Sequence, residues 1–154
     1  FFKTIIILIF FLYSFILIIA GYLNTKNYFD KSLNDLERYF LAGSSIYLGT
    51  FIIGSSFDYR LMFLIFTVPF IMDLKIKKIK YILLISYIFS INSFLIQHSP
   101  LFFITEATHV IYYIKSFFIF VCKFLIFSIL SYLIGGLIKK INFFKIKQQF
   151  VKYK

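Results

Sequence analysis

The chain has 154 residues, of which 61% are hydrophobic, 23% aromatic and only 15% charged. A domain of this length has too little interior to hide so much apolar surface, which excludes an ordinary soluble globular protein and sets that surface against lipid. The net charge is +11, and the basic residues lie between and after the apolar blocks, so phospholipid headgroups suit them better than nucleic acid.

Residues 4–23 are nearly all apolar. At about 1.5 Å per residue they cover roughly 30 Å, the thickness of a bilayer's hydrocarbon core, and they predict a first spanning helix. The run is too long for the apolar part of a secretory signal, and no Ala-x-Ala site follows it. The chain opens Phe1-Phe2-Lys3 without an initiator Met, so the expectation is the C-terminal part of a longer protein. Residues 24–38 form a polar connection. Within it, Ser32-Leu33-Asn34-Asp35 reads as a capping box, with Asp35 and Glu37 in a first helical turn where the macrodipole favours acids.

Residues 39–54 and 60–72 are the second and third apolar runs, both short for a full crossing. They are either two spans or one re-entrant hairpin, and the charge pattern favours two spans. Pro69 is expected to kink the third helix or end its regular part early. Residues 73–80 are a basic turn with Lys75, Lys77, Lys78 and Lys80. Residues 81–97 predict a fourth span, and 98–115 a mixed connection lying partly in the interface. Residues 116–138 predict a fifth span, interrupted by Lys123, before a basic tail over 139–154. The expected fold is all-α: a polytopic transmembrane bundle of about five spanning helices over 1–138, then the tail.

Orientation follows from the basic residues in the connections. Thirteen fall on one side: Lys26, Lys31, Arg38, the four lysines of the 73–80 turn and six in the tail. Three fall on the other: Lys3, Arg60 and Lys115. The split places the C-terminus in the cytoplasm. The tail is expected to anchor on anionic headgroups.

Few residues suggest chemistry. Asp58 and Arg60 stand in the turn after the second run, beside Ser55 and Ser56. In an irregular turn both can aim at one polar cavity, where an Arg fork suits a phosphate; the simpler reading is a turn whose charges meet water. Glu106 and His109, three apart, would share a helix face, with His98 nearby, yet the spacing matches no metal motif. Lys123 either snorkels outward or faces polar groups in the bundle, Asp58 among them. Gly43, Ser44, Ser45 and Gly49 place small residues along the second helix, where they allow close packing. The single Cys122 forms neither an intrachain disulfide nor a zinc site. No metal and no cofactor are expected.

The stretch Tyr39-Phe40-Leu41-Ala42-Gly43-Ser44-Ser45-Ile46-Tyr47-Leu48-Gly49-Thr50-Phe51, continued by Asp58-Tyr59-Arg60-Leu61 and Thr67-Val68-Pro69, resembles the C-terminal membrane region of bacterial glycosyltransferase family 87-like proteins. The similar segment covers about thirty residues. The resemblance implies a C-type enzyme that uses polyprenyl-phosphate-linked sugars at the outer membrane face, with Asp58, Tyr59 and Arg60 matching a recurrent Asp-Tyr-Arg motif. The acidic catalytic site of that group lies on an early loop without a counterpart in this sequence, so no catalytic residue carries over. The leading expectation is the membrane part of an envelope-glycan glycosyltransferase, inactive by itself, that meets membrane lipids and a lipid-linked sugar. The rivals are a polysaccharide polymerase or ligase, and a transporter or structural membrane subunit without catalysis.

Overall fold

The computed structural model describes residues 2–25, 33–53, 58–93 and 107–152, with side chains described over 4–25, 33–53, 62–93 and 113–142. Five α-helices and one 3-10 helix account for nearly all of these residues, and no strand occurs among them. Helix α1 covers Phe2–Asn24 and α2 Asp35–Ile53. A 3-10 helix, Asp58–Thr67, runs directly into α3, Val68–Asp73. Helix α4 covers Lys77–Ile91 and α5 Ala107–Lys152. Two stretches, Thr4–Asn24 in α1 and Tyr113–Asn142 in α5, are long and apolar enough to cross a membrane.

The helices alternate in direction. Along α1 and α5, Tyr13 meets Ser128, Ser14 meets Ser131 and Thr25 meets Lys139, so the two run parallel. Helix α2 is antiparallel to α5: Tyr47 meets Lys123, and Glu37 meets Lys140. The 3-10 helix and α3 return along α2, with Phe40 on Phe70. Helix α4 turns back again, pairing Lys80 with Met72 and Tyr87 with Thr67.

Small and hydroxyl-bearing residues face inward. Ser14, Ser44, Ser86, Ser90, Ser93 and Ser131 are all buried. A Cβ added to Gly21 would run into the carbonyl of Tyr132, and one added to Gly135 into the carbonyl of Ile18. Without a hydrophobic force between helices in lipid, such close backbone approach is a main source of association. Ser14 and Ser131 share a hydrogen bond of 3.1 Å across this seam. Gly43 does the same for α2, where a Cβ would sit 2.6 Å from the Phe63 carbonyl. An aromatic cluster of Phe10, Tyr13, Phe51, Phe124 and Phe127 ties α1, α2 and α5 together.

Phe40, Tyr47, Leu64, Ile71, Leu83 and Phe127 are buried as well, in an apolar core, yet many other large apolar residues face outward. Leu8, Phe11, Ile16 and Leu23 on α1, Met62 and Ile65 on the 3-10 helix, Ile85 and Ile88 on α4 and Phe117 on α5 are all exposed. So much exposed apolar surface departs from that of a soluble protein.

The boundaries differ from expectation in four places. Helix α2 starts two residues later than a Ser32 cap would place it. The reciprocal bonds belong to Asn34 and Glu37: Asn34 Oδ1 accepts the Glu37 N–H at 2.8 Å, and Glu37 Oε2 accepts the Asn34 N–H at 2.9 Å. The third run is 3-10 before it is α-helical. Pro69 falls in the first turn of α3, where a missing N–H costs nothing. Because a 3-10 helix rises about 2.0 Å per residue, the sixteen residues from Asp58 to Asp73 extend roughly 29 Å, close to a hydrocarbon thickness. Finally, α5 passes through both of its expected limits. It begins at Ala107 inside the expected connection and continues to Lys152, so the basic tail is helical as far as Lys152 and continuous with the fifth run.

Candidate functional site

Four chain segments meet at one end of the bundle: the C-terminus of α1, the N-terminus of α2, the α3–α4 turn and the middle of α5. They surround a cavity of about 470 Å³. Its walls are apolar, with Phe70, Leu74, Ile76, Leu133 and Leu137, and its polar lining comes from Asn24, Thr25, Glu37, Asp73, Lys75 and Tyr132.

Side chains hold three of the helix ends here, those of α1, α2 and α3. The free carbonyls at the end of α1 are met by Lys139, whose Nζ donates to the Thr25 carbonyl at 2.6 Å and lies 6.0 Å from the Tyr22 ring centre. A cation at a helix C-terminus complements the macrodipole. Lys80 acts likewise on α3, donating to the Met72 carbonyl at 2.5 Å. The N-terminus of α2 is held by Asn34 and Glu37.

Glu37 does more than cap. Its two carboxylate oxygens accept from Lys140 Nζ at 2.6 and 2.7 Å, and both side chains are about nine-tenths buried. A charge removed from water needs such a partner, and near lipid the requirement is stricter. The pair therefore locks α2 to α5 at the wall of the cavity. Lys139 and Lys140, adjacent in sequence, thus serve two different helices, α1 and α2.

The residues singled out from sequence are not gathered here. Asp58, Tyr59 and Arg60 open the 3-10 helix, at the end of the bundle opposite to the cavity; their side chains lie outside the described residues. Glu106 and His98 lie outside the described residues, and His109 is described only as backbone in the first turn of α5. Lys123 is half-buried on α5, and its backbone carbonyl accepts the Tyr47 hydroxyl at 3.3 Å. Gly49, one of the small residues of α2, has open space where a Cβ would go, so it plays no part in close packing among the described residues. Cys122 is buried in the α5 interior, as a packing residue would be. Among the described residues, no three His, Cys, Asp or Glu side chains gather closely enough to hold a metal ion.

Compared with protein-family models, curated proteins and solved structures, the chain shows no significant match to any.

Proposed function

We propose that the chain is an integral membrane bundle that crosses the bilayer five times, with the cavity end in the cytoplasm of a bacterial inner membrane. The observation that carries this reading is the coincidence of helix direction with charge. Alternating directions put residues 24–25, 33–38, 73–80 and 139–140 at one end of the bundle, which belong to or adjoin the basic connections. A soluble bundle has no reason to sort lysines this way, whereas membrane insertion does. The outward-facing Ile, Leu and Phe side chains support the same reading. The crossings by α2 and by the 3-10 helix with α3 are each close to the hydrocarbon thickness.

The test is single-cysteine labelling with an impermeant maleimide in intact cells, with Cys122 replaced. Cysteine at Ala107 is expected to react from outside, and cysteines at Asn34 and Lys78 only after the membrane is opened. Outside labelling at Lys78 removes the five-span topology.

Within that topology we propose a glycosyltransferase-type role: the membrane part of an enzyme of envelope-glycan synthesis that meets a polyprenyl-phosphate-linked sugar at the outer face. It is supported by the resemblance over residues 39–69, and by the position of the Asp58-Tyr59-Arg60 backbone at the end away from the basic cluster. That is the face to which such a substrate would be presented. Arg60 would grip the phosphate and Asp58 would hold the guanidinium in place.

A further inference from the structure

We infer that the cavity at the basic end seats the headgroup of an ethanolamine phospholipid, with its phosphate on Lys75 and its ammonium on Asp73. The inference rests on the reading that this end lies at the cytoplasmic headgroup level. Three charged side chains line the cavity: Glu37, Asp73 and Lys75. The Glu37 carboxylate is already engaged by Lys140 and by the Asn34 N–H. Asp73 and Lys75 are exposed, and neither side chain makes a hydrogen bond or ion pair with another described residue. They flank Leu74, whose N–H closes the end of α3 on the Ile71 carbonyl at 3.2 Å, so a capped turn holds their backbone in place.

The mouth of the cavity therefore offers one anion and one cation. A zwitterion with a primary ammonium complements both. An anionic glycerol headgroup would engage Lys75 but bring no cation to Asp73, leaving that carboxylate's charge unmatched. A choline headgroup carries no N–H to donate to Asp73. Behind the mouth, Phe70, Ile76, Leu133 and Leu137 offer an apolar wall to the glycerol and the first methylenes of the acyl chains. Gly136 lets α5 pack closely on the end of α1, since a Cβ there would come 2.7 Å from Thr25 Oγ1. The volume of about 470 Å³ lies within the usual range for small-molecule sites, ~300–1,000 Å³.

The experiment uses the full chain, extracted from membranes with nonionic detergent after an alkaline carbonate wash. It is then mixed with equimolar dioleoyl phosphatidylethanolamine, phosphatidylglycerol and phosphatidylcholine, and retained lipid is read by native mass spectrometry. The expected result is a preference of about threefold for the ethanolamine lipid over each of the others, the size set by partly solvated charge pairs. Asp73→Asn is expected to abolish the preference over choline, and Lys75→Gln to lower retention of all three lipids. Both residues are exposed, so neither change should lower the melting temperature. Leu133→Trp, which fills the cavity, is expected to prevent retention altogether. Equal retention of the three lipids, a preference for phosphatidylglycerol, or an unchanged preference in Asp73→Asn overturns the inference. Loss of the chain in the carbonate wash would instead overturn the membrane reading on which it rests.

Discussion

The Lys140 ammonium sits 2.6 and 2.7 Å from the two carboxylate oxygens of Glu37, a residue 103 positions earlier in the chain. The pair joins the first turn of α2 to the interior of α5. Glu37 also closes the capping box, so one carboxylate serves the local helix start and the long-range packing together.

Removing Lys140 takes the ammonium from a Glu37 carboxylate that is about nine-tenths buried. Lys140→Met is expected to destabilise the bundle by about 3–5 kcal/mol, because the remaining carboxylate keeps its desolvation cost. The double change Glu37→Gln/Lys140→Met should recover much of the loss, since no buried charge then remains. Thermal unfolding in detergent micelles, arranged as a double-mutant cycle, reads the coupling. Additive losses in the double variant would mean that the two side chains are solvated independently.

The glycines divide into two kinds. Gly21 and Gly135 each lie where a Cβ would strike the backbone of the facing helix, whereas Gly49 faces open space. Gly21→Ala and Gly135→Ala are therefore expected to force α1 and α5 apart and to lower the melting temperature sharply. Gly49→Ala should be neutral or stabilising by up to about 1 kcal/mol, the helix-propensity difference. Equal effects at the three positions would rule out the close α1–α5 seam.

Thr67 and Tyr87 make a sharper test of the core. Thr67 Oγ1 donates to the Leu64 carbonyl at 2.6 Å and accepts from the Tyr87 hydroxyl, also at 2.6 Å. Both residues are buried. Thr67→Val leaves the tyrosine hydroxyl without an acceptor and is expected to cost about 1–3 kcal/mol. Tyr87→Phe leaves the Thr67–Leu64 bond intact and is expected to cost about 1 kcal/mol. Denaturation of the two variants and of the double variant checks the order, and a larger loss in Tyr87→Phe would reverse the assignment of donor and acceptor.

Much of the architecture was legible because it depends on runs and charges, which are local. The apolar run 4–23 became Phe2–Asn24 with little adjustment. The alternation of direction followed from where the lysines fall. The 3-10 form of Asp58–Thr67 was not legible, since backbone choice there goes with tight packing of Phe63, Phe66 and Thr67 against Gly43. Nor was the cavity. Lys139 and Lys140 read as the first residues of a tail, because a charge at the end of an apolar run ordinarily marks its exit into water. Glu37 read as a simple first-turn acid for the same reason. Only the three-dimensional meeting of α2 with α5 gives the pair its partner, and no spacing along the chain encodes a separation of 103 residues. Asn34 was within the expected capping segment, but Asn34-x-x-Glu37 rather than Ser32-x-x-Asp35 closes the box.

The Asp58-Tyr59-Arg60 segment supports a prediction that separates chemistry from insertion. These residues open the 3-10 helix at the end away from the basic cluster, so a lipid-linked phosphate presented at the outer face would meet them without crossing the hydrocarbon. A guanidinium offers that phosphate a planar, two-pronged donor, and an ammonium does not. In the complete protein, Arg60→Lys is therefore expected to lower glycan transfer by about tenfold although the charge is kept, and Arg60→Ala by more, in line with charge-assisted hydrogen bonds of ~1.5–3 kcal/mol. Asp58→Asn should fall between wild type and Arg60→Lys, because it loosens the guanidinium without removing it. Membrane insertion and expression should survive all three changes, since Arg60 and Asp58 precede the apolar part of the third run rather than interrupting it. The measurement is glycan transfer in isolated membranes, normalised to protein level by immunoblot. Full transfer in Arg60→Ala at normal expression would remove the phosphate pocket and leave these residues as a structural entry to the 3-10 helix.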